Sequence, residues 1–316
     1  MSRIAPTLGR RSTAEDALAG ASLRGRRILV TGANSGLGVE TTRVLAQGGA
    51  DVILACRDVR AGERVAQGLR EGLRAGAGRL ELLALDLADL RSVAAAARTL
   101  RDDGRGLDVL INNAGVMATP RGSTAQGHEL QLGTNHLGHF ALTLALAPLL
   151  HARAGARVVT LSSSLHRQGR GERMMATLRD DPGYARRKYR PFAAYGDAKL
   201  ANLLFARALA RRWPDVASFA VHPGVIPTPL SRSMGTGGVL FRLVGRPFMK
   251  SVAQGAATTV FAATHPALAG HSGAYLADCG LDTPSAQAQD DALAQALWQA
   301  SEDAIAAADV ALAQAG

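Results

Sequence analysis

Ile28-Leu29-Val30-Thr31-Gly32-Ala33-Asn34-Ser35-Gly36-Leu37-Gly38 is the stretch that decides the fold of this 316-residue chain. A short apolar run breaks into a glycine turn, and helical spacing of apolar residues follows from Leu37 to Gln47. A strand therefore feeds a helix through a turn whose glycines let the backbone approach a ligand closely. The N–H groups at the start of that helix, with their partial positive charge, suit a pyrophosphate. Gly32, Asn34, Ser35, Gly36, Leu37 and Gly38 are the candidate binding residues. The spacing is Gly-x-x-x-Gly-x-Gly, unlike the Gly-x-Gly-x-x-Gly fingerprint, and no Gly-Lys-Ser/Thr follows to make a P-loop.

Outward from this turn, strand-like and helix-like segments alternate to about Tyr275. Strands are expected at Asp51 to Cys56, Leu80 to Leu85, Leu107 to Ile111, Arg157 to Leu161 and Val216 to Val221, with a last one at Gly273 to Leu276. Helices are expected at Ala61 to Leu73, Asp89 to Leu100, Gly127 to Leu150 and Ala194 to Arg212. Such alternation predicts an α/β fold, a doubly wound parallel sheet of the Rossmann type covered on both faces. No Pro/Gly/Ser linker interrupts it, so residues 26–316 read as a single domain behind an N-terminal extension, 1–25. A C-terminal helix is expected at about 285–313, its apolar face set by Leu293, Leu297, Ile305 and Leu312.

Composition excludes several classes. The chain is 47% hydrophobic and 20% charged, an ordinary globular balance. No run approaches the roughly 18 apolar residues of a membrane span, and Met1 to Gly25 lacks the apolar core of a signal peptide. Cys56 and Cys279 suit neither a disulfide framework nor a metal site, and read as small buried hydrophobes in a reducing compartment. A cytoplasmic location is expected. The net charge of +10 comes largely from scattered Arg, but it concentrates between Arg167 and Arg190. That run reads as a solvated surface loop or as a site for an anionic partner. With no aromatic stacking platform beside it, nucleic acid is not expected.

Three further strand ends carry candidate chemistry. After the second strand, an acidic residue would bind a dinucleotide's ribose hydroxyl, whereas this chain has Cys56-Arg57. A guanidinium suits a 2′-phosphate, which favours NADP(H); the plain alternative is a solvated helix-start arginine beside Asp58. Asp86-Leu87 ends the third strand, where the carboxylate could meet an adenine amino group or cap the next helix, two roles that can coexist. Asn112-Asn113-Ala114-Gly115 ends the fourth, and its small residues let backbone line a cleft, as expected at the carboxyl ends of parallel strands. Asn113, Ala114 and Gly115 join the candidate cofactor contacts. Tyr195 and Lys199 stand four apart on a predicted helix, one turn above each other. A phenol, with its pKa of about 10, becomes a usable acid/base when an ammonium favours the phenolate.

Together these pieces resemble the short-chain dehydrogenase/reductase family over nearly the whole chain. The glycine turn, Asn112 to Gly115, Asn135, the serines Ser162-Ser163-Ser164, Tyr195/Lys199 and Pro223-Gly224 fall in family order. Ala55-Cys56-Arg57-Asp58, Asn135-His136-Leu137-Gly138-His139-Phe140, Ser162 to His166, Lys199 to Phe205 and His222-Pro223-Gly224 resemble its retinol-dehydrogenase-like branch, and Ser12 to Asp16 resembles bacterial members of that branch.

The resemblance implies an NADP(H)-dependent oxidoreductase that interconverts a carbonyl and an alcohol on a small lipophilic molecule. Tyr195 would exchange the proton, and Lys199 would lower its pKa while binding the nicotinamide ribose. Ser163 would hydrogen-bond the reacting oxygen, and Asn135 would hold a water linking Lys199 to solvent. Pro223, Gly224, Val225 and Thr228 would wrap the nicotinamide, and residues 228–250 would form a substrate lid. Fully 32 positions separate Ser163 from Tyr195, far more than in the short form of the family. This insertion, about 165–192, is expected to wall the substrate cleft, with Arg186, Arg187 and Lys188 acting on substrate affinity. His136, His139, His166 and His222 fall within family signatures and lack carboxylates at ligand spacing, so no metal is expected. A homodimer or higher homo-oligomer is compatible with this reading. Two other functions compete: a non-catalytic NADP(H) sensor, which would not need the Asn135, Ser163, Tyr195 and Lys199 set, and an epimerase, which would need an added substrate domain.

Overall fold

The computed structural model describes residues 4–5, 7–18, 20–226 and 249–314, with side chains to residue 308. Eight strands form one sheet: β1 (Arg27–Thr31), β2 (Asp51–Cys56), β3 (Leu80–Ala84), β4 (Val109–Asn112), β5 (Arg157–Leu161), β6 (Ala217–His222), β7 (Tyr275–Ala277) and β8 (Gly280–Leu281). Their order is β3-β2-β1-β4-β5-β6-β7-β8; the first seven are mutually parallel, and β8 runs antiparallel to β7. This is the doubly wound Rossmann-type sheet that the alternation predicts. The order reverses between β1 and β4, which opens a crevice at their carboxyl ends.

The connecting helices are α1 (Ala14–Leu18), α2 (Gly36–Gln47), α3 (Val59–Gly72), α4 (Leu90–Asp102), α5 (Leu130–Leu132), α6 (Gly138–Ala145), α7 (Ala147–His151), α8 (Gly171–Arg179), α9 (Pro191–Arg212), α10 (Val252–Thr264) and α11 (Asp291–Gln314). Successive strand residues point to opposite faces, so β1 sends Leu29 into one core and Ile28 and Val30 into the other. The Leu29 side is covered by α4, α6, α9 and α11, and the opposite side by α1, α2 and α10. Leu8, Ala14, Ala17 and Leu23, which precede the first strand, pack into that second core.

Several local expectations need correction. The helix expected from Gly127 to Leu150 is interrupted twice. A π-helical turn, Gly133–Leu137, separates α5 from α6, and the chain breaks again at Leu146 because Pro148 can enter a helix only in its first turn. The C-terminal helix begins at Asp291, where the Asp290 carboxylate accepts the Leu293 N–H at 3.0 Å. β8 has two residues, too few for a periodic signal.

The basic run keeps Arg167, Arg170, Arg179, Arg186, Lys188 and Arg190 exposed, as a solvated segment would, but it is not all loop. It folds into a 3₁₀ turn, Ser164–Gln168, and α8, which buries Met174 and Leu178 in the core. Arg187 turns inward, with Nε 3.1 Å from Asp181 Oδ2 and its guanidinium 4.4 Å from the Tyr184 ring centre.

Candidate functional site

At the switch point the strand ends are tied together by Thr31. Its hydroxyl accepts the N–H groups of Asn113 and Ala114, both at 2.9 Å, and faces His139 Nε2 at 2.8 Å. His139 Nδ1 lies 2.9 Å from the Asn135 carbonyl oxygen. One proton arrangement satisfies the chain: Thr31 donates to Nε2, and Nδ1–H donates to Asn135. The imidazole is thus a neutral strut between β1, β4 and the π-helical turn. The sequence reading placed Thr31 in the glycine-turn stretch and His139 in a family signature but gave neither a partner, because no spacing marks a contact between residues so far apart.

The glycine turn is a tight cradle. Gly32 sits at φ +66° and Gly36 at φ +53°. A Cβ on Gly38 would stand 2.3 Å from the Gly32 carbonyl oxygen, so only glycine fits there. The turn opens into a cleft of about 370 Å³. Gly32, Asn34, Ser35, Gly36, Leu37, Gly38, Arg57, Asp86, Leu87, Asn113, Ala114, Gly115, Tyr195, Lys199 and Pro223 all line it, as do Ser162 and Thr134, which the sequence reading did not select. Asn135, Ser163, Gly224 and Val225 are not among its lining residues, although their chain neighbours Thr134, Ser162 and Pro223 are. Thr228 and most of the expected lid, 228–248, lie outside the described residues.

Two of the strand ends show their local partners. Asp89, not Asp86, caps α4 by accepting the Arg91 N–H at 3.0 Å. Asp86 Oδ1 instead accepts the Ala88 N–H at 2.9 Å, and Oδ2 has no protein partner among the described residues. Asp58 caps α3 by accepting the Ala61 N–H at 2.9 Å, so its charge is engaged at a helix start, while Arg57 is exposed at the cleft.

Tyr195 and Lys199 share one face of α9. The ammonium stands 5.6 Å from the phenol ring centre and donates to the Leu161 carbonyl at 2.9 Å. Burial pushes Tyr195 up to about 12, opposed in part by a hydrogen bond to the Ser163 side chain, and pushes Lys199 down to about 8. Desolvation dominates the phenol, and the lowering that opposes it comes from Ser163 rather than from the ammonium. Ser162 Oγ donates to the Lys199 carbonyl at 2.8 Å, which leaves Ser163 as the serine beside the phenol. Asn135 is fully buried, with Oδ1 accepting the Val116 N–H at 2.8 Å and Nδ2 donating to the Val116 carbonyl at 2.9 Å. Its amide thus ties the turn to the residues that follow β4.

The histidines hold no metal geometry: among the described residues no cluster of three His, Cys, Asp or Glu could bind an ion. Burial pushes His136 down to about 3, and His139 and His222 down to about 4. The sign for stability follows. Above an unfolded pKa of about 6.5 their contribution is fully present. As the pH falls below that value the unfolded chain takes up protons the folded one refuses, and stability drops until the folded pKa is reached. Thermal unfolding followed from pH 7 to pH 5 should show a falling midpoint. A His139→Gln variant, less stable at pH 7, should lose less over the same interval. Equal losses in the two proteins would refute the neutral strut.

The sequence profile of the short chain dehydrogenase family matches residues 26–175. The chain is 39% identical over 296 residues to human (Homo sapiens) retinol dehydrogenase 14, covering 89% of this chain and 86% of that one. A solved structure from Mycobacterium Paratuberculosis is 38% identical, with a TM-score of 0.70 over 91% of this chain and 96% of that one. Another, provisionally named an NAD(P)-dependent gluconate 5-dehydrogenase of Beutenbergia cavernae and holding NADP at low occupancy, is 28% identical, with a TM-score of 0.64 over 82% and 97% of the two chains. With the sheet order and the strand-end residues, these likenesses place the chain in the short-chain dehydrogenase/reductase family of oxidoreductases, in its retinol-dehydrogenase-like branch.

Proposed function

We propose that the protein is an NADP(H)-dependent oxidoreductase that interconverts a carbonyl and an alcohol on a small lipophilic molecule. One observation carries the reading: the buried Tyr195 phenol, with Lys199 beside it, forms one wall of the cleft whose other end is the glycine cradle. The residues present fit a dinucleotide. Gly38 leaves room for backbone approach only, the start of α2 offers N–H donors, Asp86 has a free carboxylate oxygen, and Arg57 is exposed for a 2′-phosphate. When bound, the nicotinamide would supply or accept the hydride.

The protein's own residues do the rest. Burial keeps the Tyr195 phenol protonated at neutral pH, so it is charged with a proton for the oxygen of a carbonyl under reduction. The Lys199 ammonium stabilises the phenolate as that proton leaves. Ser163 donates to the same substrate oxygen and steadies its developing charge. Pro223, Gly224 and Val225 border the nicotinamide end. The large hydrophobic side chains exposed among the described residues are Phe192 and Val225. Phe192 lies one helical turn before Tyr195 and Val225 two residues after Pro223, and an apolar substrate would find both near the proposed reaction site.

The test is NADPH consumption against a panel of aldehydes and ketones of graded apolar size. Turnover that rises with apolar content supports the reading. Tight NADPH binding with no turnover of any carbonyl, in either direction, would favour a sensor.

A further inference from the structure

We propose that Arg173, in the insertion between β5 and α9, is a positioning residue for Tyr195, acting through Asp197 on the far side of the same helical turn. The inference rests on the oxidoreductase reading above. Residues two apart on a helix lie about 200° round from each other. Tyr195 and Lys199 line the cleft, so Asp197 faces away from it, into the insertion.

There Asp197 is 2% exposed and fully engaged. Arg173 grips both carboxylate oxygens, Nε to Oδ2 at 2.6 Å and Nη2 to Oδ1 at 2.7 Å. The Arg170 N–H adds a third bond to Oδ1 at 2.8 Å. Arg173 Nη2 also donates to the carbonyls of Gln168 at 3.2 Å and Ala193 at 3.3 Å, so a single guanidinium spans the insertion and the first turns of α9.

The clamp sits where α9 has almost no other freedom. A Cβ on Gly169 would lie 2.6 Å from the Gly196 carbonyl oxygen, and one on Gly196 would lie 3.0 Å from the Leu165 carbonyl oxygen. The turn carrying Tyr195 therefore rests backbone to backbone on the 3₁₀ turn that begins at Ser164, directly after Ser163. Holding Asp197 against α8 fixes the turn of α9 that carries the phenol, and Ser163 hydrogen-bonds that phenol. Arg173 is held in its turn, since its carbonyl accepts Arg187 Nη1 at 3.2 Å while Arg187 pairs with Asp181 and packs on Tyr184.

Nothing in this arrangement touches the cleft, so the contribution is one of geometry. A displacement of the phenol by about 1 Å can lower a rate by about a hundredfold. Burial pushes the Asp197 carboxyl up and Arg173 pulls it down; without the guanidinium the buried charge has lost its main counter-charge.

Arg173→Met, Arg173→Lys and Asp197→Asn would be compared with the parent protein by steady-state kinetics on the best carbonyl of the panel, NADPH titration, and amide hydrogen exchange across residues 195–199. Arg173→Met should lower kcat about ten- to hundred-fold while the Michaelis constant and NADPH affinity stay within about threefold. Arg173→Lys should recover part of that loss, and exchange in the catalytic turn should quicken in step with lost kcat. If Arg173→Met does not fold, Asp197→Asn carries the same expectation with a smaller effect. Unchanged kcat, an equal loss of kcat and NADPH affinity, or a lysine variant no better than methionine would overturn the proposal. If the parent turns over no carbonyl, exchange decides alone: faster exchange keeps the brace while the oxidoreductase reading falls, and unchanged exchange removes the brace.

Discussion

Tyr195→Phe is expected to lower turnover by about two to four orders of magnitude while NADPH affinity changes by less than about threefold. The ring stays in place, because Tyr195 is only 7% exposed and phenylalanine retains its packing and the contact with the Lys199 ammonium. What disappears is the proton. The neighbouring groups are engaged elsewhere: Ser162 Oγ donates to the Lys199 carbonyl, and the Asn135 amide is closed on Val116. Lys199, lowered to about 8, holds the Leu161 carbonyl with one N–H and makes no hydrogen bond to the phenol. The Ser163 hydroxyl is a far weaker acid than a phenol, so it can steady the reacting oxygen without replacing the donor. Steady-state kinetics on one good carbonyl would settle the matter, and near-normal turnover of the variant would remove Tyr195 from the proposed role.

What the sequence made legible divides along physical lines. The parallel sheet was readable because β1, β2 and β5 are continuous apolar runs, as strands buried on both faces must be, each followed by a turn or helix signal. The glycine turn was readable because close backbone approach demands glycine at fixed positions. The break at Leu146 had a signal in Pro148, which the long apolar run around it outweighed. The π-helical turn at Gly133–Leu137 had none, since one extra residue per turn leaves the composition unchanged.

The insertion was legible only in part, for a different reason. Arg173 and Arg187 look like solvated charge in a linear count, and only the fold brings Asp197 and Asp181 to them. The partners of Thr31, His139 and Asp197 were illegible on the same ground: each is distant in sequence or on the far side of a helix.

Arg57→Ala is expected to weaken NADPH binding about ten- to hundred-fold and NADH binding hardly at all. The two cofactors differ only at the 2′ position of the adenosine ribose, so the prediction turns on which charges surround that point. β2 ends at Cys56, and Arg57 follows it at the mouth of the cleft, exposed and free to rotate its guanidinium toward a phosphate. The adjacent carboxylate would oppose a phosphate if it faced the same way. It is held instead at the start of α3 by the Ala61 N–H, where the helix's own positive end offsets its charge. Lys199, the other cation on the cleft wall, is committed to the Tyr195 end. Because Arg57 is exposed, the difference between the cofactors should narrow as salt rises, since screening acts within about 10 Å at 0.1 M. Titrating both cofactors against parent and variant at two salt concentrations would check each step. A parent protein that prefers NADH, or a variant that loses affinity for both equally, would leave the 2′-phosphate without its proposed partner.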